Sequence, residues 1–534
     1  MERSNDIQEI IEKRWSGTCK VIFGQEIGSI RNYTQWLKEK IEPIAIRTSS
    51  ISGKKVAYAI PNYSENSKWV GLEEIGNSKF PLLSINEIKD IESIVSAIKD
   101  RIYYTGNIVL GNSGFIYESS SISDSFYMYH TGKFGDSKYL AFCTLGRLCE
   151  DCFGCNGIGE SHFCIKAYET FKVKRSFEFW MGQNCSDCYY THNLSGCSDC
   201  IFSFNLKNKH FAIGNLVLPR DKYFSIKDSL LEQIRDWLVR NKRIPSLLDF
   251  IPSSLPAKLP SINLETRNSK SGDLAPIEEG FAKTCQIIFG KRLSGKLDDY
   301  AGWLSLHVRK HQKLRSAVSR NPICRWDYSN YFLLPEERIV SQDEALALGE
   351  ILALSKDEID AISFNNVGRV LGKIAFFSTE YAEGTNINII ECPTPTQSSN
   401  CYRTSPVVYS KYCAYSFWPR SSQYIFGSNA IFDSEFCIHC YYSVKLKRCF
   451  EMDSCNSCYN SYFCHNCENV SDSMFCFNSK NLRYAIGNVE VGREQFLKIK
   501  NLLLSKILAE LEAKKKFDLN IYNIGGKNKR PDRD

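Results

Sequence analysis

Small and apolar residues return through the C-terminal part of the chain at nine-residue intervals. Cys440, Cys449, Cys458, Cys467 and Cys476 carry the beat, and Ala485 continues it. One further set runs three residues ahead (Cys437, Leu446, Cys455, Cys464, Ser473, Leu482) and another three behind (Ser443, Met452, Ser461, Val470, Ser479). Aromatic residues follow most of the beat cysteines, at Tyr441, Phe450, Tyr459 and Phe477. A unit this short cannot bury its own apolar face and must stack on its neighbours. The pattern predicts a β-solenoid with a nine- or eighteen-residue period.

The pattern occurs twice. At an offset of 273 residues, Ser137-Lys138-Tyr139 answers Ser410-Lys411-Tyr412, and Cys185 answers Cys458. His192-Asn193 answers His465-Asn466, and Ala212-Ile213-Gly214-Asn215 answers Ala485-Ile486-Gly487-Asn488. Upstream, at a slightly smaller offset, Thr18-Cys19 and Phe23 match Thr284-Cys285 and Phe289, and Tyr33 and Trp36-Leu37 match Tyr300 and Trp303-Leu304. The expected fold class is α+β, a tandem-duplicated domain. Each copy has a small α/β head, a cysteine-rich solenoid and a closing helix.

Boundaries follow from periodicity. Copy one spans 1–243, with a head over 1–120, a solenoid over 125–215 and a cap helix over 221–241. Copy two spans 277–516, with a head over 277–390, a solenoid over 395–488 and a cap helix over 493–516. Apolar residues at helical spacing predict short helices at 27–41, 85–101 and 342–355, and Lys20-Val21-Ile22-Phe23 reads as a strand. Prolines among serines make 244–276 a semi-stiff linker, and 517–534 a basic tail.

The chain has 534 residues, 23 cysteines and a formal charge of +7. An odd cysteine count, no signal-peptide pattern and no long apolar run point to a reducing, cytoplasmic setting without a membrane span. The charge permits an anionic partner without requiring one.

Cys-x-x-Cys pairs are frequent. Two such pairs can complete a tetrahedral zinc site, which makes Cys185, Cys188, Cys197 and Cys200 one candidate set and Cys455, Cys458, Cys464 and Cys467 another. The alternative is that these thiols fill the rungs of a narrow coil. Cys464 aligns with Thr191, Cys467 with Leu194, Cys188 with Ser461 and Cys197 with Val470, and a small buried side chain tolerates such exchanges where a zinc ligand does not. Zinc remains a possible cofactor, and no other is indicated. His192 and His465 are either ligands or exposed rung residues before a turn asparagine.

A basic cluster recurs in both copies as Lys172, Lys174 and Arg175, and Lys445, Lys447 and Arg448. It is the best candidate surface for nucleic acid or another partner, against the plainer reading of a solvated turn. No phosphate-loop, metalloprotease or serine-hydrolase motif occurs, and no small-molecule substrate is indicated.

Cys455-Asn456-Ser457-Cys458-Tyr459, Cys464-His465-Asn466-Cys467 and the closing Asn481-Leu482-Arg483-Tyr484-Ala485-Ile486-Gly487-Asn488 carry a resemblance, as does Cys197-Ser198-Asp199-Cys200 with Asn205 to Asn215. The chain resembles a group of uncharacterised cysteine-rich repeat proteins of small-genome bacteria, whose function is unknown. In that group N-C-x-N-C runs end in N-L-R-N-K-x-Y-x-I-x-N. The resemblance implies an intracellular repeat protein. Together the residues favour a non-enzymatic scaffold or binding protein, part of a larger assembly with protein partners. A nucleic-acid or ribonucleoprotein-associated zinc-binding protein and a viral or phage structural component are the alternatives.

Overall fold

The computed structural model describes residues 2–60, 62–64, 66–75, 88, 91–256, 262, 272–328 and 330–526. The chain is mixed α/β, with two large and almost wholly parallel sheets, one of thirteen strands and one of ten. Parallel pairing runs from Val109 to Ile213 and from Ile387 to Ile486. The register is twelve: Leu140 pairs with Cys152, Cys152 with Cys164, Cys401 with Cys413 and Cys437 with Cys449. The nine- or eighteen-residue period is therefore corrected to twelve.

Backbone conformation explains the misreading. Nearly every third residue from Phe115 to Phe211, and from Asn388 to Tyr484, has φ near +50°, and the residue after it points inward. Each twelve-residue pairing interval is thus four three-residue steps. Inward positions recur every three residues, and nine is three inward steps, or three quarters of that interval. Cys-x-x-Cys is simply two neighbouring inward positions. The left-handed residue just before the thiol favours Gly, Asn or Asp. Gly154 precedes Cys155, Asn184 precedes Cys185, Asp187 precedes Cys188, and Asn466 precedes Cys467.

The sheets end alike. Gly214-Asn215 and Gly487-Asn488 all have positive φ, as a type I′ hairpin turn requires, and they turn the last strand back antiparallel. The Asn215 side chain accepts from Phe204 N (2.8 Å) and donates to Phe204 O (3.1 Å); Asn488 does the same at Phe477 N (2.7 Å) and O (2.8 Å). The amide side chain replaces the missing next strand, which is the physical content of the closing Ile-Gly-Asn. Helices Arg220–Asn241 and Arg493–Lys514 follow, within two residues of the expected helix bounds.

Elsewhere the structure departs from expectation. Lys20 to Phe23 lies in a long helix, Glu2–Phe23, rather than a strand. Ile7, Ile11, Trp15, Cys19 and Ile22 are buried on one of its faces against the first sheet, at 3–4 spacing. Ala275–Phe289 does the same on the second sheet with Ile277, Phe281, Cys285 and Ile288. Phe23 meets Phe177 edge-on at 5.1 Å, and Phe289 meets Phe450 at 5.1 Å. The helix expected at 27–41 is a 3-10 turn, Ile30–Tyr33, and a short α segment, Thr34–Lys38. Of the helix expected at 85–101, Ile91–Ile98 is present; residues 85–87, 89 and 90 lie outside the described residues. The helix expected at 342–355 is Gln342–Ile351.

Among the described residues upstream of each large sheet are one antiparallel and one parallel strand pair. Ala45–Thr48 with Lys55–Tyr58 and Trp69–Gly71 with Tyr104–Gly106 precede the first sheet. His311–Arg315 with Pro322–Trp326 and Ile339–Val340 with Phe377–Ser378 precede the second.

The segments expected as linker and tail begin as core. Ile244, Ser246, Leu247 and Ile251 are buried, and so are Phe517, Ile521, Tyr522 and Ile524. Both segments follow a left-handed lysine cap, Lys242 and Lys515, and strap across the adjoining sheet. Lys527, Lys529 and Arg530 lie outside the described residues.

Candidate binding surface and buried polar sites

All 23 cysteines carry free thiols, and all but Cys324 are buried. Their hydrogen bonds show why cysteine and serine alternate at the inward positions. Cys143 Sγ donates to Ala141 O (3.4 Å), with Cys152 O also at 3.3 Å; Cys449 Sγ does likewise with Lys447 O (3.4 Å) and Cys458 O (3.5 Å). An inward side chain thus meets carbonyls two residues back and nine residues on. Ser176, the counterpart of Cys449, donates to Lys174 O (3.0 Å) and accepts from Cys188 N (3.3 Å). Burial pushes the Cys143, Cys152, Cys413 and Cys449 thiols well above the usual thiol range, so they stay protonated.

The eight cysteines singled out for zinc sit on this interior wall. Cys185, Cys188, Cys197 and Cys200 donate to Gln183 O (3.0 Å), Ser186 O (3.2 Å), Ser195 O (3.4 Å) and Ser198 O (3.4 Å). Cys455, Cys458, Cys464 and Cys467 donate to Asp453 O, Asn456 O, Tyr462 O and His465 O at 3.2–3.4 Å. Among the described residues no group of three or more His, Cys, Asp or Glu side chains is placed to hold a metal ion.

Of the six basic residues five are exposed and Lys447 is half-buried. Three pair with an acid at the neighbouring position of the register: Lys172 with Glu160 (3.7 Å), Arg175 with Asp187 (2.5 Å) and Lys447 with Glu435 (3.0 Å). Lys174, Lys445 and Arg448 are exposed. Lys172 and Lys174 line one end of an open groove of about 820 Å³, beside Asp124, Asp136, Glu150 and Glu160. The groove crosses five twelve-residue intervals from Asp124 to Asn184, and Lys138 also lines it, 3.1 Å from Glu150. Beside it Phe115, Tyr127 and Tyr139 stack face to face at 4.5 and 5.1 Å. No family model matches the chain, and no curated protein or solved structure does.

Two matched positions carry more chemistry than the sequence suggested. Glu178 and Glu451, 273 residues apart, are buried acids that hold the two straps. Glu178 accepts from Leu247 N (3.1 Å), Ser246 Oγ (2.9 Å) and Trp180 Nε1 (3.0 Å), and burial raises its pKa. Glu451 accepts from Ile521 N (2.8 Å) and faces His439 Nδ1 at 2.7 Å. Phe177-Glu178 and Phe450-Glu451 repeat at the same offset as the other matches, so the signal was present.

His192 and His465 are fully buried rather than exposed. His192 Nε2 accepts from Ser378 N (3.1 Å) and His465 Nε2 from Thr105 N (2.9 Å). Burial lowers the His192 pKa to about 3, so the ring is neutral. Behind His465 stand Asp453 (2.8 Å to Nδ1) and Tyr63, whose hydroxyl donates to the same carboxylate at 2.5 Å.

Proposed function

We propose that the protein is a non-enzymatic binding scaffold: a tandem-duplicated chain whose parallel sheets are two cysteine-lined solenoids, and whose partner is a protein segment lying along the groove of the first. The groove carries this reading. Its outward side chains repeat once per turn, which presents a straight, regular surface to an extended partner. It carries both signs, Asp124, Asp136, Glu150 and Glu160 beside Lys138, Lys172 and Lys174, so a segment of mixed charge is complementary. The stacked Phe115, Tyr127 and Tyr139 add apolar area at the groove's edge.

The interleaved acids weigh against nucleic acid, whose phosphates would meet Glu150 and Glu160 before reaching Lys174. The resemblance to intracellular cysteine-rich repeat proteins is compatible with the scaffold reading.

A photo-crosslinking residue in place of Leu148, which is 46% exposed in the groove, tests it in cells that make the protein. The expected product is a discrete protein adduct that Lys172→Glu with Lys174→Glu abolishes. Adducts to RNA or DNA would transfer the site to the nucleic-acid reading. Labelling no stronger than from Val217, 54% exposed outside the groove, would remove the groove as a site.

A further inference from the structure

The contacts made by the two heads cross between the halves. Thr105 N of the first head donates to His465 Nε2, and Asn478 Nδ2 donates to Tyr103 O (2.8 Å). Ser378 N of the second head donates to His192 Nε2, and Asn205 Nδ2 donates to Phe376 O (2.9 Å). Every member of one set lies 273 residues from its equivalent in the other. The same two bonds are made twice, each time by one half's head on the other half's sheet.

Packing follows the same exchange. Val56, Trp69, Ile98 and Tyr104 of the first head share a core with Phe450, Phe477 and the helix Ala275–Phe289. Ile323, Trp326, Phe364 and Phe377 of the second head share one with Phe177, Phe204 and the helix Glu2–Phe23. The closing turns are covered in this way too. Arg101 Nη1 donates to Gly487 O (2.7 Å), and Leu354 N donates to Gly214 O (2.9 Å). A β-carbon on Gly214 would stand 2.4 Å from Leu354 Cδ1, so the head fits only against glycine there.

One pair breaks the symmetry. Continuing the match of Tyr33 with Tyr300 and Leu37 with Leu304 sets Glu42 opposite Arg309, and these two side chains form an ion pair with each other. Lys133 joins them at 2.7 Å from Glu42. Two copies of the first half would bring glutamate to glutamate, and two of the second arginine to arginine. Both side chains are about one fifth exposed, and like charges brought together at such a half-buried site are unfavourable.

We propose that each half completes its fold only with the head of the other, so that the chain is an interlocked and charge-matched pair of halves whose mutual surface selects the unlike half over a second copy of itself. The matching of positions rests on the duplication read above; the outcome below does not depend on what binds the groove. The exchange also leaves neither closing turn with a bare sheet edge.

The test uses the full chain with a site-specific protease sequence inserted between residues 256 and 272 and p-benzoylphenylalanine in place of Tyr103. After folding and cleavage the two fragments should elute as one 1:1 particle, and irradiation should join them covalently on a denaturing gel. Fragments that separate in native buffer, or a crosslink confined to the N-terminal fragment, would overturn the proposal. In the cleaved particle, Glu42→Arg should raise the dissociation constant at least tenfold, and Arg309→Gln should raise it less. An unchanged constant in both would remove the charge selection.

Discussion

At the scale of the residue, the parallel sheets are written in triplets: an inward side chain, a spacer and a left-handed residue. The left-handed position explains the composition of the repeats better than metal chemistry does. Among the described residues with positive φ none is Val, Ile or Thr, as expected where a branched Cβ would clash with its own backbone. Lys172, exposed with φ +56°, isolates this effect. Lys172→Val should cost about 1–2 kcal/mol relative to Lys172→Ala, and Lys172→Gly should be the most stable of the three. Urea unfolding of the set measures it. Equal midpoints for Val and Gly would mean that the position is not left-handed. The inward position has its own rule. Cys449→Ser should cost under about 1 kcal/mol, because a hydroxyl there can make the bonds that Ser176 makes, whereas Cys449→Val loses them in a buried site.

At the scale of the element, the straps show what a single acid can organise. Leu247 N and Ile521 N have no sheet or helix partner, and Glu178 and Glu451 supply one. Glu178→Ala should cost about 1–3 kcal/mol and release the Leu247 amide to hydrogen exchange long before the sheet opens. Glu451→Ala should cost more, because it also leaves His439 unpaired. Protection at Leu247 unchanged by the substitution would refute the role. The closing helices were legible because Ile226, Leu230, Ile234 and Leu238 repeat at helical spacing. The opening helix was not, because Val21-Ile22-Phe23 is a short apolar run with no helical period of its own. The period was misread because cysteine, the most conspicuous marker, falls at three inward steps rather than four. The straps were hidden by composition: prolines and lysines read as solvent, and only Glu178 and Glu451 reveal what covers them. The groove was half legible, since Lys172 and Lys174 were marked but Asp124, Asp136 and Glu150, one or more turns away, were not associated with them.

At the scale of the whole molecule, the halves meet through buried histidines, which makes their union sensitive to acid. His192 must be neutral, because Nε2 accepts the Ser378 amide and the ring packs on Phe377 at 4.9 Å. Its folded pKa, about 3, lies below the ordinary 6.5, so the unfolded chain binds the proton more readily. The stability that follows is fully present above about pH 6.5 and is lost as pH falls toward 3, at about 1.4 kcal/mol per unit. His130, His307 and His311, each lowered to about 4 with burial the largest cause, act in the same direction. Glu380 and Asp151 oppose them: burial raises them to about 7 and 6, so protonation on acidification favours the folded chain. The net curve is therefore a poor test, and a difference is a good one. His192→Gln keeps an acceptor for the Ser378 amide and does not titrate. Wild type minus variant stability, measured by denaturant unfolding, should be flat above pH 7 and fall steadily between pH 6 and 4. A difference that stays level across that range would mean that His192 is solvated and that the second head does not seal it.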